Sequence, residues 1–390
     1  MNILITSDWY LPAVNGVVTS VKNLRRELEA RGHEVRVLTL SQTRRSYKRD
    51  GVTYLGSVAA GLIYPGARLR TALAGKWVRE IVEWGPDVVH SQCEFSTFFL
   101  ARRIAEELDI PLVHTYHTVY EDYTHYFSPN VRFGKKAAAV FTRWAASHTD
   151  CLIAPTGKVR LLLQGYGVEK PVFVVPSGID LRHFQGGPDP LRRNVLKASL
   201  DIPRDRTVLV FVGRLAEEKR VDELLRFRAN LGPGGVTLLL VGDGPDRKRL
   251  EGVAKGLGLA APDVVFAGMV PAEQVADWYQ LGDLFVSAST SETQGLTYAE
   301  ALAAGVPVLC RADPCLLGVV RDGENGWQYW DQEDFFQKLE GFLTQPQRRE
   351  ALARSARETG EEYSAQRFAQ RVEAIYLERV ERRPLRRIPA

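Results

Sequence analysis

Residues 291–305, SETQGLTYAEALAAG, carry two carboxylates, Glu292 and Glu300, separated by seven residues. The first half of the stretch is polar. The second half has the pattern of an alanine-rich helix closed by Gly305. The backbone N–H groups of Gly295, Leu296 and Thr297 fall at the start of that helix, where the dipole favours an anion. Glycine at 295 lets a phosphate approach the backbone. Glu300, one turn inside, can point back and accept hydrogen bonds from a diol such as ribose. Glu292 can do the same for a sugar hydroxyl. Favourable charge placement near a helix start also explains Glu292, but not the whole set.

A second group stands upstream, in FVGRLAEEKR. A buried strand ends at Gly213, and Arg214 and Lys219 follow it, five residues apart. Two cations at the C-terminal end of a strand suit a diphosphate: the guanidinium forks two oxygens and the ammonium adds a point charge. A solvated, charged helix start fits the same residues equally well, since Glu217 and Glu218 lie between them. The chain holds no Asp-x-Asp. Handling a nucleotide diphosphate without that metal clamp needs fixed cations, a part that Arg214 and Lys219 can fill.

Residues 114–127, HTYHTVYEDYTHYF, hold three histidines, four tyrosines, Glu121 and Asp122. His114 and His117 follow the strand run PLV, where neighbouring side chains alternate faces. No third ligand stands at a matching spacing, so no metal is expected. A polar, aromatic strand end suits a sugar or acceptor site, with His117 as a hydrogen-bonding or catalytic group. Tyr120, Asp122 and Tyr126 are the acceptor-side candidates. Near the N-terminus Asn15-Gly16 suits a turn of positive φ whose amides face a phosphate, although turn formation alone accounts for it. Gly242-Asp243-Gly244 lacks the third glycine of a dinucleotide fingerprint and reads as a tight turn after a strand.

These residues need elements to hold them. The chain has 390 residues, long enough for two domains, with 45% hydrophobic and 25% charged residues, the balance of a soluble globular protein. NILITS, EVRVLTL, DVVHSQ, PLVHTYH and DCLIAPT read as strands alternating with amphipathic helices. TVLVFVGR, VTLLLVGDGP, VVFAGMV, DLFVSAS and VPVLCRA repeat the pattern later. The fold class is therefore α/β, two doubly wound parallel sheets facing a central cleft. The expected boundaries are 1–178 for an N-terminal domain and 179–363 for a second, similar domain. Residues 364–390 are a returning helix with an arginine-rich tail. The Gly- and Pro-rich stretch from Val172 reads as a linker, with the joint at 179–190. Every motif above follows a strand, and ligands bind at that end of such sheets.

Composition excludes several classes. No apolar run approaches the roughly 18–20 residues that span a bilayer. The N-terminus MNILITSDWYLP has no basic region or cleavage site and reads as a strand rather than a signal peptide. Four scattered cysteines without C-x-x-C suit free thiols in a reducing cytoplasm and argue against zinc. A net charge of +4 is mild and does not call for nucleic acid.

GRLAEEK with SETQGLTYAE, PSGID between the domains and VGDGP after a strand together resemble the family 4 glycosyltransferases of the GT-B fold. The likeness covers essentially the full chain. It implies retention at the anomeric centre, no metal, and a nucleotide sugar as substrate rather than a cofactor. It implies that Arg214 and Lys219 hold the donor diphosphate with the amides of Gly295, Leu296 and Thr297. Glu300 would take the ribose hydroxyls and Glu292 the transferred sugar. Gly16 would approach the diphosphate from the first domain, and His117 would lie near the reacting centre. Asn15 departs from the family, where a second glycine is usual. HTYHTVYEDYTHYF is further similar to the diacylglycerol α-glucosyltransferases, which implies UDP-glucose as donor and diacylglycerol as acceptor.

Such an acceptor lies in a membrane, so the expected place of work is cytoplasmic, at the inner face of the cell membrane. Two segments read as basic amphipathic helices bearing tryptophan, which suit an anionic lipid surface. Residues 64–84 contain Trp77 and Arg79. Residues 131–146 contain Lys135, Lys136, Phe141 and Trp144. A core-packed helix with a solvated basic face fits either segment equally well.

Overall fold

The computed structural model describes residues 1–13, 15–60, 68–70, 75–119, 131–184 and 189–383. It divides into two compact units: Met1–Gly178 together with the C-terminal segment from Ala365, and Ile179–Ser364.

The first unit runs β1 (Asn2–Ser7), α1 (Gly16–Ala30), β2 (Glu34–Leu40), β3 (Tyr47–Arg49), β4 (Val52–Leu55), β5 (Ser57–Ala59), β6 (Arg68–Arg70) and α2 (Gly75–Trp84). It continues with β7 (Val88–Ser91), α3 (Ser96–Leu108), β8 (Leu112–Thr115), α4 (Val131–Ser147), β9 (Cys151–Ala154), α5 (Gly157–Gly165) and β10 (Val172–Val174). Its main sheet has the order β10-β9-β8-β7-β1-β2-β4-β3 and is parallel except for the β3–β4 pair.

The second unit runs α6 (Pro190–Ser199), β11 (Thr207–Val212), α7 (Val221–Asn230), β12 (Val236–Val241), α8 (Arg247–Gly256), β13 (Val264–Gly268), α9 (Val275–Leu281) and β14 (Leu284–Ser287). It ends with α10 (Leu296–Ala303), β15 (Val308–Arg311), β16 (Gly326–Tyr329), α11 (Gln332–Thr344) and α12 (Pro346–Glu361). Its sheet has the order β13-β12-β11-β14-β15-β16, parallel throughout. In both sheets the strand order reverses next to the first strand, between β1 and β7 and between β11 and β14. Those two reversals are where doubly wound sheets open a ligand crevice.

The strands form because both of their faces are covered. In β11, Val208, Val210 and Val212 enter one apolar cluster, while Leu209 and Phe211 enter the cluster on the other face. In β1, Ile3 and Ile5 face one way and Leu4 the other. A period-2 strand buried on both sides reads in sequence as an unbroken apolar run. α13 (Ala365–Glu381) belongs to the first unit. Phe368, Val372, Ile375 and Tyr376 recur at helical spacing and join the Ile3–Ile5 cluster.

Two expectations are corrected. Val172–Val174 opens the stretch read as a linker, yet it forms β10, with Val172 opposite Leu152 of β9. The β-branched run pairs with an open sheet edge before the Gly/Pro-rich chain begins. Residues 64–84 are not one helix: Arg68–Arg70 pairs antiparallel with β5, and the helix starts at Gly75. The Arg-Leu-Arg alternation carries a strand period. In α2, Val78 and Ile81 are buried, with Trp77, Val82 and Trp84 packed against the same cluster.

The place of α13 can be tested. Phe368→Ala is expected to cost about 3–5 kcal/mol. In hydrogen exchange the loss of protection should appear in β1 and β2 and spare β11 and β12. Equal loss in all four strands would contradict the assignment of α13 to the first unit.

Candidate functional site

On the second unit the loops that leave β11 and β14 are joined by side chains. Lys219 Nζ lies 2.5 Å from Glu292 Oε1, and Ser291 Oγ donates to the Glu218 carbonyl at 3.4 Å. Lys219 and Glu292 are 22% and 12% exposed, which screens the pair less than a surface ion pair. Arg214 pairs with Glu218, so that glutamate is engaged with the first cation, while Glu217 is exposed. The Gly-Asp-Gly turn docks against the loop that carries Arg214. A Cβ at Gly242 would stand 2.0 Å from the Gly213 carbonyl oxygen, and one at Gly244 2.2 Å from that of Leu215. Leu215 N–H donates to the Asp243 carbonyl at 3.0 Å. Close backbone approach therefore accounts for both glycines.

α10 begins after Gly295, whose φ of 74° is left-handed. A Cβ there would fall 2.5 Å from the Tyr298 ring. Tyr298 is buried and donates to Ser287 Oγ at 2.8 Å, fastening the helix to the end of β14. Gly295, Leu296 and Thr297 thus stand at a helix N-terminus on the rim where the strand order reverses. One turn further, Glu300 Oε2 accepts a hydrogen bond from Tyr279 Oη at 2.7 Å. Burial raises the Glu300 carboxyl to about 7, and the Tyr279 hydrogen bond opposes part of that rise.

On the first unit a different group lines the reversal point. His117 Nε2 is 2.7 Å from Gln92 Oε1, and His114 Nε2 is 3.1 Å from Glu94 Oε1. His90 lies between Tyr376 Oη at 2.6 Å and Thr115 Oγ1 at 2.7 Å. Burial pulls His117 down to about 4; Glu94 opposes this and His114 adds to it. The ring is therefore neutral near pH 7, with one nitrogen on Gln92 and the other able to accept from a hydroxyl. Asp8 follows β1 and accepts from the N–H groups of Ser96 at 3.0 Å and Thr97 at 2.7 Å, which caps α3. Burial raises its carboxyl to about 6. His114 and His117 take separate partners, and among the described residues no three His, Cys, Asp or Glu side chains gather as metal ligands.

The structure therefore groups Arg214, Lys219, Glu292, Gly295, Leu296, Thr297 and Glu300 on one rim. Gly16 and His117 stand on the corresponding rim of the first unit. Asn15-Gly16 is not a turn of positive φ: Asn15 is extended at φ −162°, and its Oδ1 accepts from Val18 N at 2.9 Å. Its side chain caps α1, which stabilises that geometry better than a left-handed turn. Tyr120, Asp122 and Tyr126 lie outside the described residues. Trp77 and Arg79 are on α2, and Lys135, Lys136, Phe141 and Trp144 are on α4.

The sequence reading missed Asp8, Gln92, Glu94 and Tyr279. The first three had a signal, since Asp8 and Gln92 are polar and directly follow β1 and β7 at the reversal point, and Glu94 stands two residues after Gln92. Tyr279 had none, because its role arises from the packing of α9 against α10.

Comparisons with known proteins bear on this arrangement. Residues 14–183 match the family model Glycosyltransferase Family 4, and residues 192–359 match Glycosyl transferases group 1. The chain is 33% identical over 385 residues to an alpha-monoglucosyldiacylglycerol synthase of Streptococcus pneumoniae, covering 97% of this chain and 86% of that one. It is 32% identical over 394 residues to the protein of the same name from Acholeplasma laidlawii, covering 98% of each. The Anabaena protein HepE, solved in complex with UDP-glucose, shares the fold with a TM-score of 0.74 at 18% identity, covering 97% of this chain and 100% of that one. The chain belongs to the family 4 glycosyltransferases of the GT-B fold and is an enzyme of the hexosyltransferase class.

Proposed function

We propose that this enzyme transfers glucose from UDP-glucose to the 3-hydroxyl of 1,2-diacylglycerol, with retention and without a bound metal, giving α-monoglucosyl diacylglycerol. The observation that carries the reading is the likeness, over nearly the whole chain, to two enzymes named for that glycolipid. The rim of the second unit supports the donor side. Arg214, Lys219 and the N-terminus of α10 are fixed positive charge and dipole for the diphosphate, and they stabilise the charge that grows on it as the sugar leaves. Glu300 receives the ribose hydroxyls and Glu292 the glucose hydroxyls. The Lys219–Glu292 pair holds both groups ready before the donor arrives.

In the transfer the bond from C1 to the phosphate oxygen breaks. The acceptor oxygen bonds to C1 on the same face, and its proton passes to the departing phosphate oxygen. His117, neutral and fixed by Gln92, accepts a hydrogen bond from a sugar hydroxyl near that centre. It serves by orienting the sugar rather than as an acid.

A diacylglycerol acceptor requires contact with lipid. Among the described residues no helix is long and apolar enough to cross a membrane. The proposed contact is the surface of α3 and α4 at the cytoplasmic face. Phe95, Phe99, Phe133 and Val140 are exposed there. Phe141 stacks on Phe95 and on Trp144, with centroids 5.6 and 5.9 Å apart, and Trp144 meets Phe99 at 5.4 Å. Lys135, Lys136 and Arg143 are exposed on the same helix. Aromatic residues beside cations suit an anionic interface. Trp77 is half-buried under Lys48 and Lys76, and Arg79 is exposed, which makes α2 a lesser contributor.

Two outcomes are expected. Glu292→Gln should lower glucolipid formation by roughly a hundredfold while the affinity for UDP in calorimetry stays within about threefold. Equal loss of both would contradict the assignment of Glu292 to the sugar. Flotation with anionic vesicles should weaken as salt rises. Flotation indifferent to both salt and lipid charge would contradict the basic aromatic surface.

A further inference from the structure

Glu300 has two carboxyl oxygens, and the chain engages them unequally. Oε2 accepts from Tyr279 at 2.7 Å, whereas Oε1 has no hydrogen-bond partner among the described residues. Tyr279 is fully buried. Its ring packs against Phe184 and Phe285, with centroids 6.3 and 5.9 Å away, which fixes where its hydroxyl points. A buried phenol needs a partner, and an ionised carboxylate only accepts, so the direction of this bond is set.

We propose that Tyr279 is a positioning residue for nucleotide recognition: it clamps Oε2 of Glu300 and so presents Oε1 to the vicinal diol of the bound ribose. The proposal rests on the assignment of Glu300 to the ribose. It also gives nucleotide binding a dependence on pH. The Glu300 carboxyl, held at about 7 by burial, is half ionised at neutral pH. The ionised form accepts from both hydroxyls, while the protonated form spends one acceptor site on its own hydrogen. Removing the phenol takes away a donor that favours the charged form, so the gain in affinity moves to higher pH. Among the described residues, charged groups near this rim include the Lys219–Glu292 and Arg214–Glu218 pairs on the loops after β11 and β14, Asp243 with Arg247 after β12, and Asp277 of α9 with Arg192. Arg357 of α12 lies against Gly305, at the far end of α10.

The test is calorimetry of the full chain with UDP and with 2′,3′-dideoxy-UDP between pH 6 and 9. The dideoxy compound carries the same titrating diphosphate and lacks only the diol. In the unaltered enzyme the preference for UDP over the dideoxy compound should grow from pH 6 to 8. Tyr279→Phe should weaken UDP about tenfold at pH 7, approach the unaltered enzyme at pH 9, and leave the dideoxy compound unchanged throughout. Glu300→Gln, which removes the titrating group, should make the preference independent of pH. If Tyr279→Phe weakens both ligands equally at every pH, Tyr279 only supports the fold and the proposal is overturned. If the unaltered enzyme binds both ligands equally, the assignment of Glu300 to the ribose fails, and the proposal fails with it.

Discussion

One ion pair, Lys219 to Glu292, organises the rim of the second unit. It joins the loop after β11 to the loop after β14, which are the two loops that flank the reversal of strand order. Both partners are mostly buried, so removing either would leave a charge poorly solvated and uncompensated. Their contact places a cation and a carboxylate side by side next to the N-terminus of α10. Gly295 then turns the chain into that helix, and Tyr298 anchors the helix to β14. The anion-facing amides and Glu300 follow from that geometry. The proposed donor site is thus held by contacts within the chain, and such preorganisation lowers the reorganisation needed at reaction.

The two units divide the electrostatic work. The rim of the second carries permanent charge: Arg214, Lys219, two paired glutamates and a helix dipole. The rim of the first carries neutral imidazoles beside two hydrogen-bonded carboxylates, Asp8 and Glu94. Burial keeps His117 and His90 well below the usual histidine range, and Asp8 is engaged by the amides of α3. Charge suits a diphosphate, and neutral acceptors suit sugar hydroxyls, whose own dipoles are small. A charged imidazole at His117 would lose the nitrogen lone pair that can accept from a hydroxyl. The pull from burial, larger than the opposing pull of Glu94, prevents that.

Much of this was legible in the chain because it is written in local signals. Strands buried on both faces leave unbroken apolar runs, so the five quoted strands of each sheet were found. Gly295 and the E-x7-E spacing mark a helix start, and R-x4-K marks the loop opposite. What was not legible depends on partners distant in sequence. β10 looked like a linker because its three residues are strand only by pairing with β9. Asn15 is a different case: its partner Val18 is local, and an asparagine ahead of a helical run signals a cap as well as a turn. The helix expected over 64–84 was too long because charge and tryptophan content outweighed the strand alternation at Arg68–Arg70. Gln92 and Tyr279 act on residues 25 and 21 positions away, and no spacing rule reports such contacts.

The most direct measurement is release of UDP from UDP-glucose by the purified enzyme, with and without diacylglycerol in anionic vesicles, and with the lipid product identified by mass spectrometry. The account predicts strong release only when diacylglycerol is present, matched by a monoglucosylated lipid of retained α configuration. Release that ignores diacylglycerol, or no glucosylated lipid, would contradict the pairing of UDP-glucose with a diacylglycerol acceptor.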